Sequence, residues 1–94
     1  MKKLIWLAGL LLAGCQTVSA AQCIPPARYD HEPKKHYSVR NLSPQDMAAL
    51  CSGAKGCTID RVIFLRNDLP PEWRACVLRH EKGHLNGWPG NHPA

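Results

Sequence analysis

His80-Glu81-Lys82-Gly83-His84-Leu85-Asn86-Gly87-Trp88-Pro89-Gly90-Asn91-His92 lies near the end of a 94-residue chain, and the rest is read outward from it. Its first five residues follow the pattern HExxH. On a helix, side chains four apart share a face one turn from each other, so His80 and His84 can both reach one tetrahedral zinc. Such a metal takes imidazole nitrogen at about 2.0–2.1 Å. Glu81 falls about 100° round the helix, beside the histidines, which suits a carboxylate acting on water better than a third ligand. Gly87 reads as the first residue past the helix end, Trp88-Pro89-Gly90 as a turn, and His92 as a residue returning just beyond it.

Moving back along the chain, the helix carrying this motif is predicted to begin near Pro71-Glu72, with proline in its first turn and an acid near its positive end. On a helical wheel Trp73, Cys76, Val77, Leu78, His80, Glu81, His84 and Leu85 share one broad face. Ala75, Arg79, Lys82 and Asn86 take the opposite arc, which is predicted to face solvent. Arg74 falls among the apolar residues and can snorkel outward near the helix start. Gly83 costs roughly 1 kcal/mol relative to alanine at mid-helix, a cost that a close backbone or ligand approach would explain.

Cys57 to Arg66 is rich in β-branched residues and is predicted to be a strand, broken by Asn67-Asp68-Leu69-Pro70-Pro71. A short helix is predicted after Asn41-Leu42, with Ser43 as N-cap, Pro44 in the first position and Asp46 in a capping-box-like place. Met47 and Leu50 would form its buried face, and Gly53 would stop it. His36 to Arg40 alternates weakly and reads as a short strand, and Cys23 to Lys35, with three prolines, as irregular chain. The fold class expected is therefore α+β over residues 23–94: a small disulfide-stapled domain with a short sheet packed on the HExxH helix, plus one short helix.

The N-terminus reads as a targeting segment. Met1-Lys2-Lys3 precedes an apolar run from Leu4 to Gly14, of signal-peptide length and short of the roughly 18 residues of a membrane span. Leu12-Ala13-Gly14-Cys15 resembles a bacterial lipobox. The resemblance implies a signal peptide over 1–14, a lipid on Cys15 and a short tether over 15–22. Gln16 after the cysteine, rather than Asp, implies by the same resemblance the outer membrane of a Gram-negative cell. Ordinary cleavage near Val18-Ser19-Ala20 is the alternative. Loss of Lys2 and Lys3 would lower the formal charge from +5 to +3. That mild basicity, with Lys34-Lys35 as the one adjacent basic pair after the signal and no aromatics interleaved, argues against nucleic acid as a partner.

With Cys15 lipidated, Cys23, Cys51, Cys57 and Cys76 remain. An even number in a short exported chain reads as two disulfides, which a domain with so small a core needs. Three pairings are open. Cys51–Cys57 with Cys23–Cys76 is preferred slightly, because the first pair closes a short loop containing glycine.

The stretch His80 to Gly87 resembles the zincin metallopeptidases, and its HExxHxxG form the metzincin branch. The resemblance implies zinc as cofactor, His80 and His84 as ligands, Glu81 as general base and a third ligand swinging back after the glycine. It also implies an edge strand ahead of the active-site helix that pairs with extended substrate, here within Thr58 to Arg66. The chain departs from the pattern in several places. Metzincins place the third histidine where Gly90 stands, no methionine follows the motif, and Lys82 occupies a position usually apolar. His92 is the first candidate for third ligand, followed by His31, His36, Glu32 and Asp30. Cys76-His80-His84, on one helix face, is a further possible metal set.

Two functions compete. In the first, the chain is a zinc-dependent peptidase acting on a peptide or protein at the envelope and tethered to the membrane by lipid. In the second, it is a non-catalytic lipoprotein, an accessory of a larger secretion or conjugation apparatus, with a structural metal or none. An intact Glu81 favours the first; small size favours the second. Asp60 is open between orienting a ligand and facing solvent, and Trp88, which could line a substrate cleft, is read instead as packing under the turn.

Overall fold

A computed structural model describes residues 23–90. The expected signal at 1–14, the tether at 15–22 with Cys15, and His92 lie outside the described residues.

The α+β architecture is as expected. A three-stranded sheet of β1 (Ser38–Leu42), β2 (Gly56–Ile59) and β3 (Val62–Arg66) has the order β1-β3-β2. Helix α1 (Pro44–Cys51) joins β1 to β2, and α2 (Pro71–Leu85) closes the chain and packs on β2 and β3. β1 runs parallel to β3, with Ser38 opposite Val62 and Leu42 opposite Arg66, while β2 is antiparallel to β3. Alternation along β3 turns Ile63 and Leu65 inward, where both are fully buried against Val77 of α2. Tyr37, Val39, Leu69, Trp73, Leu78 and Leu85 pack around that nucleus.

The expected single strand from Cys57 to Arg66 is instead a hairpin. Ile59 pairs with Val62, leaving Asp60-Arg61 as a two-residue turn in which Asp60 takes φ 55°. A positive φ at the first turn position matches the twist of the flanking strands, and Asp tolerates it better than most residues. In consequence β3 is the central strand, and the edge beside α2 belongs to β2. The strand expected over residues 36–40 forms two residues later. It is anchored there by Arg61, whose Nε and Nη2 donate to the carbonyls of His36 and Lys35 at 2.7 and 3.0 Å.

Helix α1 begins as its sequence predicts, the Ser43 hydroxyl accepting from the Asp46 amide at 3.1 Å. It ends at Cys51, with Ser52 and then Gly53 in left-handed conformations. Met47 is fully buried, but Leu50 is 45% exposed, so this short helix buries a narrower stripe than expected.

The two disulfides join Cys23 to Cys76 and Cys51 to Cys57, at Cα separations of 4.9 and 6.0 Å, both within the usual range. The first starts a strap in which residues 23–37 cross the outer side of α2. Asn86 Nδ2 donates to the carbonyls of Tyr29 and His31 at 2.8 and 2.7 Å. Arg79 makes a two-pronged pair with Asp30, and Lys82 Nζ lies 2.7 Å from Glu32 Oε1. The arc of α2 expected to face solvent is thus partly covered by this strap.

Candidate metal centre

Helix α2 presents its motif as the wheel predicts. His80 is 1% exposed and Glu81 4%, while His84 is half-buried one turn further on. The two imidazoles meet nearly edge-on, with centroids 4.9 Å apart and planes at 67°. Their Nε2 atoms converge to 3.2 Å. Two imidazole nitrogens on one tetrahedral zinc are separated by about 3.3–3.4 Å, given zinc–nitrogen bonds of about 2.0–2.1 Å. The pair as it stands therefore fits two corners of a zinc site with almost no movement.

The helix end shapes the rest. The Gly87 amide donates to the His84 carbonyl at 3.1 Å and the Trp88 amide to the Gly83 carbonyl at 3.0 Å, the paired bonds of a Schellman turn. Gly87 takes φ +102°, which a residue with a Cβ enters only with strain. The turn lays the Trp88 indole flat on His84, with planes at 11° and centroids 4.9 Å apart, and brings its carbonyl oxygen 2.7 Å from His84 Nδ1. Trp88 also lies at 4.9 Å from the His80 ring. It is half-buried under the turn, as the sequence reading favoured.

Gly83 is explained by the same packing. A Cβ there would come 2.6 Å from Pro25 Cγ and 2.9 Å from Trp88 Cε3, so the glycine lets the strap and the turn close over the helix between the two histidines.

Glu81 faces β2. The Thr58 hydroxyl donates to Glu81 Oε1 at 2.8 Å. Glu81, His84, Thr58, Asp60 and Arg61 share the wall of an open cleft of about 700 Å³, completed by the turn after α1 and by the Cys51–Cys57 disulfide. A buried carboxylate, an imidazole and a sheet edge thus meet one space large enough for a short stretch of extended chain.

The remaining candidate ligands go elsewhere. Asp30 is engaged by Arg79, whose hydrogen bond holds its carboxyl below the ordinary aspartate range. Glu32 accepts from Lys82 and, at 2.5 Å, from the Tyr37 hydroxyl; these two hydrogen bonds, Lys82's first, lower its pKa. The same carboxylate raises the Lys82 and Tyr37 pKa values. His31 and His36 are exposed on the strap. Cys76 is bonded to Cys23, which removes the Cys76-His80-His84 set. Among the described residues, no three His, Cys, Asp or Glu side chains gather in a metal-binding group.

Sequence reasoning passed over Thr58, Pro25 and Asn86. Thr58 had a signal, since a hydroxyl on a strand beside a buried helix carboxylate is a natural donor. Pro25 and Asn86 had none, because their partners lie far away along the chain. No known protein family, curated protein or solved structure matches this chain.

Proposed function

We propose that this chain is a minimal zinc-dependent peptidase of the bacterial cell envelope, held to the membrane through lipid on Cys15. His80 and His84 would hold the metal through Nε2, with His92 as the third ligand. Zinc at this position would supply Lewis acidity toward a peptide carbonyl and lower the pKa of an attacking water toward about 7. The Glu81 carboxylate takes a proton from that water as it adds to the carbonyl carbon, then delivers it to the departing amine nitrogen. Thr58 steadies the carboxylate by its hydrogen bond to Oε1. The peptide or protein substrate lies in the cleft along β2. The observation that carries this reading is the 3.2 Å approach of the two Nε2 atoms, with Glu81 on the cleft wall that His84 shares.

A second reading, a non-catalytic accessory lipoprotein, draws on a different observation. Glu81 is 4% exposed and already engaged by Thr58, as a carboxylate with a purely structural task would be. Elemental analysis of the oxidised full chain in detergent separates the two, beside His84→Ala and Glu81→Gln. The peptidase should carry one zinc, lost in His84→Ala and kept in Glu81→Gln, and should cleave unstructured peptides only with Glu81 intact. A folded wild type that takes up no zinc would overturn the proposal and leave the accessory module.

A further inference from the structure

We infer that Trp88 is the positioning residue that holds His84 in its Nδ1–H tautomer, turning the Nε2 lone pair toward His80; its value for ligand orientation rests on the zinc reading above. A carbonyl oxygen only accepts, so the 2.7 Å contact between Trp88 O and His84 Nδ1 is a hydrogen bond only if Nδ1 carries the proton. A neutral imidazole has one protonated nitrogen, which leaves His84 Nε2 as an acceptor. The Trp88 amide is bonded to the Gly83 carbonyl and Gly87 sets the turn at φ +102°, which keeps the residue bearing that carbonyl beside His84. Nor can the ring rotate freely, since the indole lies flat against it at 11°.

The same logic assigns His80. Its Nε2 lies 3.2 Å from His84 Nε2, and two lone pairs facing each other at that distance repel. With both rings neutral, His80 Nε2 carries the proton and donates it. The two histidines of the motif are therefore in opposite tautomers in the metal-free protein. His84 is a finished ligand. His80 becomes one only by changing tautomer, its Nε2 proton passing to solvent as Nδ1 takes one up. The helix-ending turn thus decides which histidine is prepared in advance, in keeping with the general role of carbonyls behind metal-bound imidazoles.

Long-range proton–nitrogen NMR correlation on the ¹⁵N-labelled, oxidised, metal-free full chain tests this directly, well above the ordinary imidazole pKa of about 6.5. His84 should show a protonated Nδ1 and an unprotonated Nε2, and His80 a protonated Nε2. Averaged tautomers at His84, or a protonated Nε2 there, would overturn the inference even if zinc binds. Gly87→Ala should displace the carbonyl, release His84 to an averaged tautomer and weaken zinc binding about 10–100-fold. Trp88→Phe keeps the carbonyl and an aromatic plate, and should keep the tautomer. A variant Gly87→Ala that folds with the wild-type tautomer would sink the idea; if it fails to fold, the wild-type spectrum decides alone. Opposite tautomers in a chain that binds no zinc would support the positioning role while removing the zinc reading.

Discussion

The Thr58 hydroxyl donates to Glu81 Oε1 at 2.8 Å, a bridge between the sheet edge and the buried carboxylate of the motif helix. Hydrogen bonds to charged groups contribute roughly 1.5–3 kcal/mol, and a buried carboxylate that loses a donor is costly. Thr58→Val should therefore destabilise the fold by about 1.5–3 kcal/mol, and Thr58→Ser by much less. If Glu81 is a general base, Thr58→Val should also lower kcat more than it alters KM. Urea titration with peptide-hydrolysis kinetics on both variants checks the two statements. Equal behaviour of Val and Ser would show that the hydroxyl does not matter.

Gly83→Ala pits helix propensity against packing. Alanine is favoured by roughly 1 kcal/mol in a helix interior. Here its methyl would meet the Pro25 ring and the Trp88 indole closer than van der Waals contact allows. Overpacking of this kind costs about 1–3 kcal/mol, and Pro25 is held by the neighbouring Cys23–Cys76 bond. The net expectation is a lower urea midpoint. A rise in stability would mean the strap moves aside easily.

The two disulfides should differ in worth. Cys23–Cys76 closes a separation of 53 residues and Cys51–Cys57 one of 6. On the chain-entropy model these are worth about 4 and about 2 kcal/mol. Paired Cys→Ala replacements, compared by urea unfolding, should rank them in that order. The reverse order would point to residual structure in the unfolded chain.

Acid should loosen the strap. The Asp30 and Glu32 carboxyls are held below their ordinary pKa by hydrogen bonds from Arg79 and Lys82. Folded values below unfolded ones mean that stability is present above about pH 4 and is lost as pH falls through the folded pKa values. Lys82 has the opposite sign, its raised pKa giving stability that is complete below about pH 10 and fades above it. Urea midpoints followed from neutral pH downward should fall, and Asp30→Asn with Glu32→Gln should flatten that fall. An unchanged acid slope in the double variant would show that these pairs contribute nothing, a common fate of exposed ion pairs.

Local chemistry was legible in the sequence, and long-range chemistry was not. Ser43 capped its helix, Gly87 ended the other, and the wheel around His80 separated buried from covered residues, because each signal lies within one or two turns of chain. The hairpin at Asp60-Arg61 was hidden, since no glycine or Asn-Gly pair marks it and β-branched residues flank it on both sides. Lys82 looked solvent-facing because its cover comes from Glu32, which is 50 residues away. The motif itself named His80, Glu81 and His84; the 3.2 Å approach of the two imidazoles, and the carbonyl behind His84, depend on a turn whose closure a sequence suggests but does not measure.

The Cys23–Cys76 bond also imposes an order on the making of the protein. Synthesis proceeds from the N-terminus, so Cys23 meets Cys51 and Cys57 well before Cys76 exists. The earliest oxidation open to it is a wrong one, and the correct partner arrives with the final helix. Asn86, which anchors the strap's backbone, arrives later still. Unless Cys51 and Cys57 close on each other first, the chain must remain reduced, or reshuffle its sulfurs by thiol–disulfide exchange, until α2 is available.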